Sequence, residues 1–414
     1  MTDVNRSIRW LVLAAAVTWH LLGVVAPPKI VGGAVKETDG RDFASYYYAS
    51  RVAQAGGNPY DKTALDAMAT ADGTRSQVHP FFYPPPFLLA VAWAPLYTLA
   101  DAFDVWYVLN ELFLVLAVAA LLLWWRPLGN GLPPVLLASV AAMTAIPYGA
   151  SMGQANSLVL MLVIGGLWAD AAGVAMLAGA LVGAAAILKM SPALFVVMWL
   201  VQRKFQPALA AVATAIGLSV ATLPWVDLQA QVDFYRHILP QFSSGNYNGL
   251  VVDIGMFANH SVPNLFHQLW PSSTEGLSTT ARTASSIFGL SLVLSLAVVF
   301  RRAASDPWSG AAVAASVAIS TLLVPVYTYE HHLIWAIPAM ALSTLGVFRG
   351  NLGAGWAVPL GLANCVLAFP VSQLKSLAVG PLEGHTALIL CAQEGKFAAL
   401  LVVLAACVRL ATAR

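Results

Sequence analysis

Ionisable and amide side chains recur at the edges of long apolar runs, in types suited to proton transfer and anion binding. The first is Asp42, in Asp39-Gly40-Arg41-Asp42-Phe43, just ahead of Tyr46-Tyr47-Tyr48. A carboxylate there can accept a proton as a general base or simply cap a turn. His79 and Tyr83 follow, before Pro84-Pro85-Pro86, whose rings fix how the chain enters an apolar segment. Gly153-Gln154-Ala155-Asn156 offers two amides able to bind sugar hydroxyls, with helix capping by Asn156 as the alternative. Lys189 in Lys189-Met190-Ser191-Pro192 stands at a helix boundary, where it can neutralise a phosphate or snorkel to the interface. Asn259-His260-Ser261 lies in a polar stretch, and Tyr327-Thr328-Tyr329-Glu330-His331-His332 opens an apolar run. Three ionisable residues in succession beside a membrane helix are costly unless partnered, which favours function over packing. Successive helical residues point about 100° apart, so His331 and His332 suit phosphate or carboxylate partners better than one shared metal. No metal site and no cofactor are expected.

The elements that must position these groups are membrane helices. Of 414 residues, 59% are apolar and 10% charged, against roughly a quarter charged in soluble domains. The net charge of +2 comes with no basic tract, which sets nucleic-acid binding aside. Cys365, Cys391 and Cys407 lie in or beside apolar runs and read as packing residues. At about 20 residues per crossing, spans fall near 8–27, 105–125, 133–149, 157–170, 172–188 and 191–202. Others fall near 206–225, 284–300, 309–325, 331–348, 353–370 and 386–408. The fold class is therefore an all-α polytopic membrane protein of about 12 spans, between roughly 11 and 13. The first span, behind Arg6 and Arg9, reads as an uncleaved helix rather than a secretory signal. The proline-rich segment 81–98 is re-entrant or a further span.

Arg126, Arg203, Lys204, Arg301, Arg302, Arg349 and Arg409 fall on one side of this scheme, which the cation bias of cytoplasmic loops makes the inner side. Loops 28–80 and 226–283, and every group with chemical potential, are then external. The whole chain, 1–414, reads as a single membrane domain containing both loops. Within the first loop, residues 43–55 have the spacing of an amphipathic helix lying along the membrane surface.

Taken in order, Asp42-Phe43 with Tyr46-Tyr47, Tyr83-Pro84-Pro85, Gly153-Gln154 with Asn156, Lys189 with Pro192, Asn259 with Ser261, and Glu330-His331-His332 resemble glycosyltransferase family 87. That family includes polyprenyl-phosphate-mannose-dependent enzymes that build phosphatidylinositol mannosides. The resemblance implies a GT-C fold and an external active site that transfers one sugar, mannose foremost, with inversion. The donor would be a polyprenyl-phosphate sugar, the acceptor a lipid or glycan, and the setting the bacterial plasma membrane with its lipids. It makes Asp42 the base, His331 or His332 the catalytic partner near the donor phosphate, and Lys189 and Arg41 further phosphate ligands. Tyr46, Tyr83, Gln154, Asn156, Asn259 and Glu330 would line the substrates. A lipid-linked oligosaccharide polymerase or ligase, or a transporter or flippase of lipid-linked sugars, is the alternative. A transporter would place its charges near the midplane, commonly in repeated halves, and no repeat is visible.

Overall fold

A computed structural model describes residues 40–74, 78–272, 276–303, 306–379 and 386–412. The expected span 8–27 lies outside them. Among the described residues, apart from a two-stranded hairpin in which Asn246–Tyr247 pairs antiparallel with Leu250–Val251, the regular structure is helical.

Two helices form in the first loop, α1 (Arg41–Gln54) and α2 (Lys62–Ala71), the latter capped by the Asp61 side chain on the Thr63 amide. The polyproline segment permits only a short α3 (Phe87–Val91). Next come the long α4 (Leu99–Trp124), capped by Thr98, and the pair α5 (Leu132–Ala142) and α6 (Ala145–Met152), bent by 52°. Then follow α7 (Asn156–Ala171), α8 (Ala175–Leu188), α9 (Ala193–Val201) and α10 (Phe205–Ala221). The second large loop holds α11 (Leu228–Asp233), the hairpin and α12 (Val262–Leu269), the last capped by Ser261 on the Asn264 amide. The remainder is α13 (Thr279–Arg302), α14 (Pro307–Leu323), a 3₁₀ turn (Glu330–Ala336) running into α15 (Ile337–Phe348), then α16 (Ala357–Ala368), α17 (Val371–Val379) and α18 (Thr386–Thr412).

Among the described residues, four helices are long and apolar enough to cross a bilayer: Leu99–Trp124, Thr279–Arg301, Glu330–Phe348 and Leu388–Thr412. The bent pair α5–α6 would be a fifth. The other expected spans coincide with shorter helices, of which 193–201 has only nine residues. Outward faces identify lipid as the solvent. On α13, Ile287, Leu290, Leu294 and Val298 form an exposed stripe at spacings of three and four residues; such a stripe would be a liability in water. Inside, small residues bring helices close: a Cβ on Gly179 would lie 2.2 Å from the Pro207 carbonyl of α10, and one on Gly166 would lie 2.7 Å from Val182 of α8. This tight stacking of α7, α8 and α10 sets where the C-terminal end of α8, and hence Lys189, comes to rest.

The first-loop helix differs from expectation. Residues 43–55 do not lie half-exposed on the membrane surface; α1 buries eleven of its fourteen residues, including Asp42. Phe43 stacks on Trp106 of α4 with ring centroids 5.8 Å apart, and Tyr46 packs edge-on to Tyr83 at 4.9 Å. The physical reason is ring density: Phe43, Tyr46, Tyr47 and Tyr48 distribute aromatic surface around the helix, so it is buried on several sides by α4 and by the segment around 80–87 rather than on one by lipid.

Candidate active site

Asp42 occupies the first turn of α1, behind Gly40, which adopts a left-handed conformation with φ of 67° and donates from its amide to the Ser151 carbonyl at 2.6 Å. That bond ties the start of α1 to the end of α6. Gly153, the turn between α6 and α7, closes the same junction. Its φ is 75°, and a Cβ there would sit 2.5 Å from the Phe43 Cβ. Gly153→Ala is therefore expected to destabilise the protein by about 2 kcal/mol or more, combining left-handed strain with overpacking. A thermal unfolding temperature in detergent equal to that of the unchanged protein would contradict this.

The turn delivers Gln154 to Asp42. The Gln154 amide nitrogen donates to one Asp42 carboxylate oxygen, and His79 Nδ1 faces the other at 3.4 Å. Burial pushes the Asp42 pKa up, but the His79 hydrogen bond, the nearby charges of His331 and His79, and Gln154 outweigh it. The carboxyl is therefore held below its usual range and is ionised at neutral pH. Gln154 Oε1 accepts from Lys189 Nζ at 3.1 Å and from the Tyr83 hydroxyl at 3.3 Å; that hydroxyl in turn accepts from Tyr46 at 2.8 Å. One amide thus joins a carboxylate, a cation and a pair of phenols.

Lys189, just past α8, does not snorkel. It turns inward to Asn156 Oδ1 at 2.6 Å and lies over the Tyr83 ring at 5.8 Å. Burial lowers its ammonium to about 7, with Asp42 opposing that shift. Nor does Asn156 cap α7, because its side chain spans Lys189 and the His331 carbonyl, to which it donates at 2.8 Å. His331 is consequently drawn to the same centre. Its ring stacks between Tyr148, with centroids 6.3 Å apart, and Tyr329, at 5.6 Å. A Cβ on Gly149 would meet the His331 Cβ at 3.3 Å, so the small residue on α6 lets this stack form.

The remaining expected residues sit differently. His332 accepts the Tyr329 amide hydrogen on Nδ1 at 3.1 Å, a local cap that occupies that nitrogen. Asn259 spends its amide on backbone, donating to Ile254 and Val326 carbonyls and accepting from the Thr328 and Ser261 amides. It shapes the approach to Tyr329 and is not brought to Asp42. Glu330 turns into the protein, toward Lys396, and Arg41 neighbours Asp42 in α1 and is half-buried.

Sequence reasoning gave no site role to four contributors. His79 was visible only as a polar residue before the prolines. Tyr148 and Tyr329 carried no signal beyond being aromatic at a helix end. Lys396 did have one, since a cation inside the apolar run of α18 is the kind of residue that function retains.

Carboxylate, amide, ammonium and imidazole groups from five distant segments of a helical membrane protein thus converge on one centre. The family model for glycosyltransferase family 87 matches residues 81–325, more than half of the chain, and the chain belongs to that family. It is accordingly a membrane glycosyltransferase. The matched residues include Tyr83, Gln154, Asn156, Lys189 and Asn259, while Asp42 and Glu330 to His332 lie outside and join the site through the contacts above. No curated protein matches the chain.

Proposed function

We propose that this enzyme moves one sugar, mannose, from a polyprenyl-phosphate donor to a lipid or glycan acceptor, with inversion. We place the reaction at the outer face of the bacterial plasma membrane, in a single GT-C unit of about 12 spans. The observation that carries the reading is the Gln154 bridge, which holds an ionised carboxylate and a half-buried lysine side by side and within electrostatic reach of His331.

In the reaction the acceptor oxygen bonds to the anomeric carbon as the bond from that carbon to the phosphate oxygen breaks. The acceptor proton passes to Asp42, which must come within about 3 Å of the attacking oxygen. The departing phosphate needs charge stabilisation more than a proton, and Lys189, His331 and Arg41 supply it. Tyr46 and Tyr83 offer hydroxyls and ring faces to the sugar, and Gln154 and Asn156 orient the charged groups. Asn259 and Glu330 act from beneath, by shaping the Tyr329 to His332 turn.

Radiolabelled polyprenyl-phosphate mannose offered to membranes containing the enzyme should label a lipid or glycan product. Labelled nucleotide-diphosphate mannose, offered where no polyprenyl carrier can be charged, should not. Direct use of the nucleotide sugar would reject the donor assignment.

A pH dependence follows from Lys189. With its ammonium lowered to about 7, the side chain is charged below that pH and increasingly neutral above it, so donor KM is expected to rise as pH climbs through this range. Above that pH the charged fraction falls by up to about tenfold per pH unit, and phosphate binding weakens in proportion. Lys189→Arg, which stays protonated throughout, should flatten the profile. A donor KM independent of pH in the unchanged enzyme would remove Lys189 from the phosphate site.

A further inference from the structure

A second charged cluster, centred on Glu330 and touching none of the reacting groups named above, begins one residue before His331. Lys396 of α18 donates to both Glu330 carboxylate oxygens, at 2.7 and 2.9 Å, and to the Leu367 carbonyl at 3.1 Å, and it is fully buried. Thr144, at the bend between α5 and α6, donates to Glu330 at 3.2 Å and to the Ala368 carbonyl at 2.9 Å. His260 faces the same carboxylate at 3.4 Å. A buried ion pair is a poor way to add stability, because desolvating two charges offsets most of their attraction and apolar residues of similar volume do as well. What it offers instead is direction: a bidentate contact fixes where the Glu330 side chain points and how its turn is rotated.

That rotation bears on the next residue. The His331 carbonyl is held from the opposite side by Asn156, and Asn156 is held by Lys189. The turn is therefore held at two successive residues, by Lys396 of α18 on the Glu330 side chain and by Asn156 of α7 on the His331 carbonyl. We propose that Lys396 is a positioning residue for His331: by clamping Glu330 it sets the turn that stacks the His331 imidazole between Tyr148 and Tyr329, within electrostatic reach of Asp42 and Lys189. The proposal rests on the reading of His331 as a ligand of the donor phosphate.

Lys396→Met alone strands a buried carboxylate and can unfold the chain, so the decisive variant is Glu330→Gln/Lys396→Met, which removes both charges and keeps the volume. Its initial rate with radiolabelled polyprenyl-phosphate mannose, in membranes supplying endogenous acceptor, is expected to fall about 100-fold, the scale of a misplacement near 1 Å. Its melting temperature should stay at that of the unchanged enzyme. In a His331→Ala background the same double substitution should cost nothing further, because groups acting through one another are not additive. A double variant with an unaltered rate overturns the proposal, as does an equal further loss in the His331→Ala background, which marks a general structural role. If His331→Ala transfers at full rate, the phosphate reading itself falls; if it is slow while the double variant is not, only the positioning role does.

Discussion

Asp42→Asn is expected to lower sugar transfer by about 10²- to 10⁴-fold, the usual contribution of a general base, while leaving the fold intact. The substitution suits this site. An asparagine oxygen can still accept from the Gln154 amide, whose own oxygen is committed to Lys189 and Tyr83, and its nitrogen can face His79 Nδ1. The loss should therefore appear in turnover with little change in unfolding temperature, measured on the purified enzyme with labelled donor and extracted acceptor. Substantial transfer by correctly folded Asp42→Asn would exclude the carboxylate as base and return its burial to a packing role. The charge matters as well as the proton: Asp42 opposes the loss of charge on Lys189, so the variant should also weaken donor binding at neutral pH.

The two adjacent histidines should separate cleanly. His331→Ala removes an imidazole within electrostatic reach of Asp42 and Lys189, and a hydrogen bond to a charged group contributes about 1.5–3 kcal/mol, so kcat/KM for the donor should drop by roughly 10- to 150-fold. His332→Ala removes instead the acceptor of the Tyr329 amide hydrogen. Leaving that half-buried donor unsatisfied costs about 1 kcal/mol of stability, up to about 3 for full burial, with kcat/KM in the surviving folded protein close to normal. Kinetic titration of both variants against donor, alongside their melting curves, decides the matter; loss of catalysis in His332→Ala at normal stability would invert the assignment.

How far these residues could be read from the chain depended on whether their signal was local. Apolar runs of sufficient length announce helices in any context, because in lipid every backbone polar group must be satisfied within its own segment. Most expected spans accordingly found a helix, as with 105–125 inside α4 and 386–408 inside α18. Lengths were less legible. Prolines cut segments 81–98 and 133–149 into short or bent pieces, and such breaks depend on which neighbours take up the freed backbone groups. The order of Asp42, Gln154, Lys189 and the histidines was equally readable, and it carried the family resemblance. Left open were the choices between capping and bridging for Asn156, snorkelling and inward turning for Lys189, and surface lying and burial for α1.

Those choices belong to tertiary structure. Composition and hydropathy determine unaided that this chain is helical and lives in a membrane, since transfer of apolar side chains to lipid depends on each segment alone. Whether a polar side chain on such a segment serves chemistry or packing depends on what faces it from elsewhere. Gln154 reaches Asp42 across 112 positions of sequence and Lys396 reaches Glu330 across 66. Only helix packing, through glycines at the α7, α8 and α10 contacts and the bend after α5, brings those partners within hydrogen-bond range, and a bond some 3 Å long cannot be inferred from a pattern that repeats every few residues.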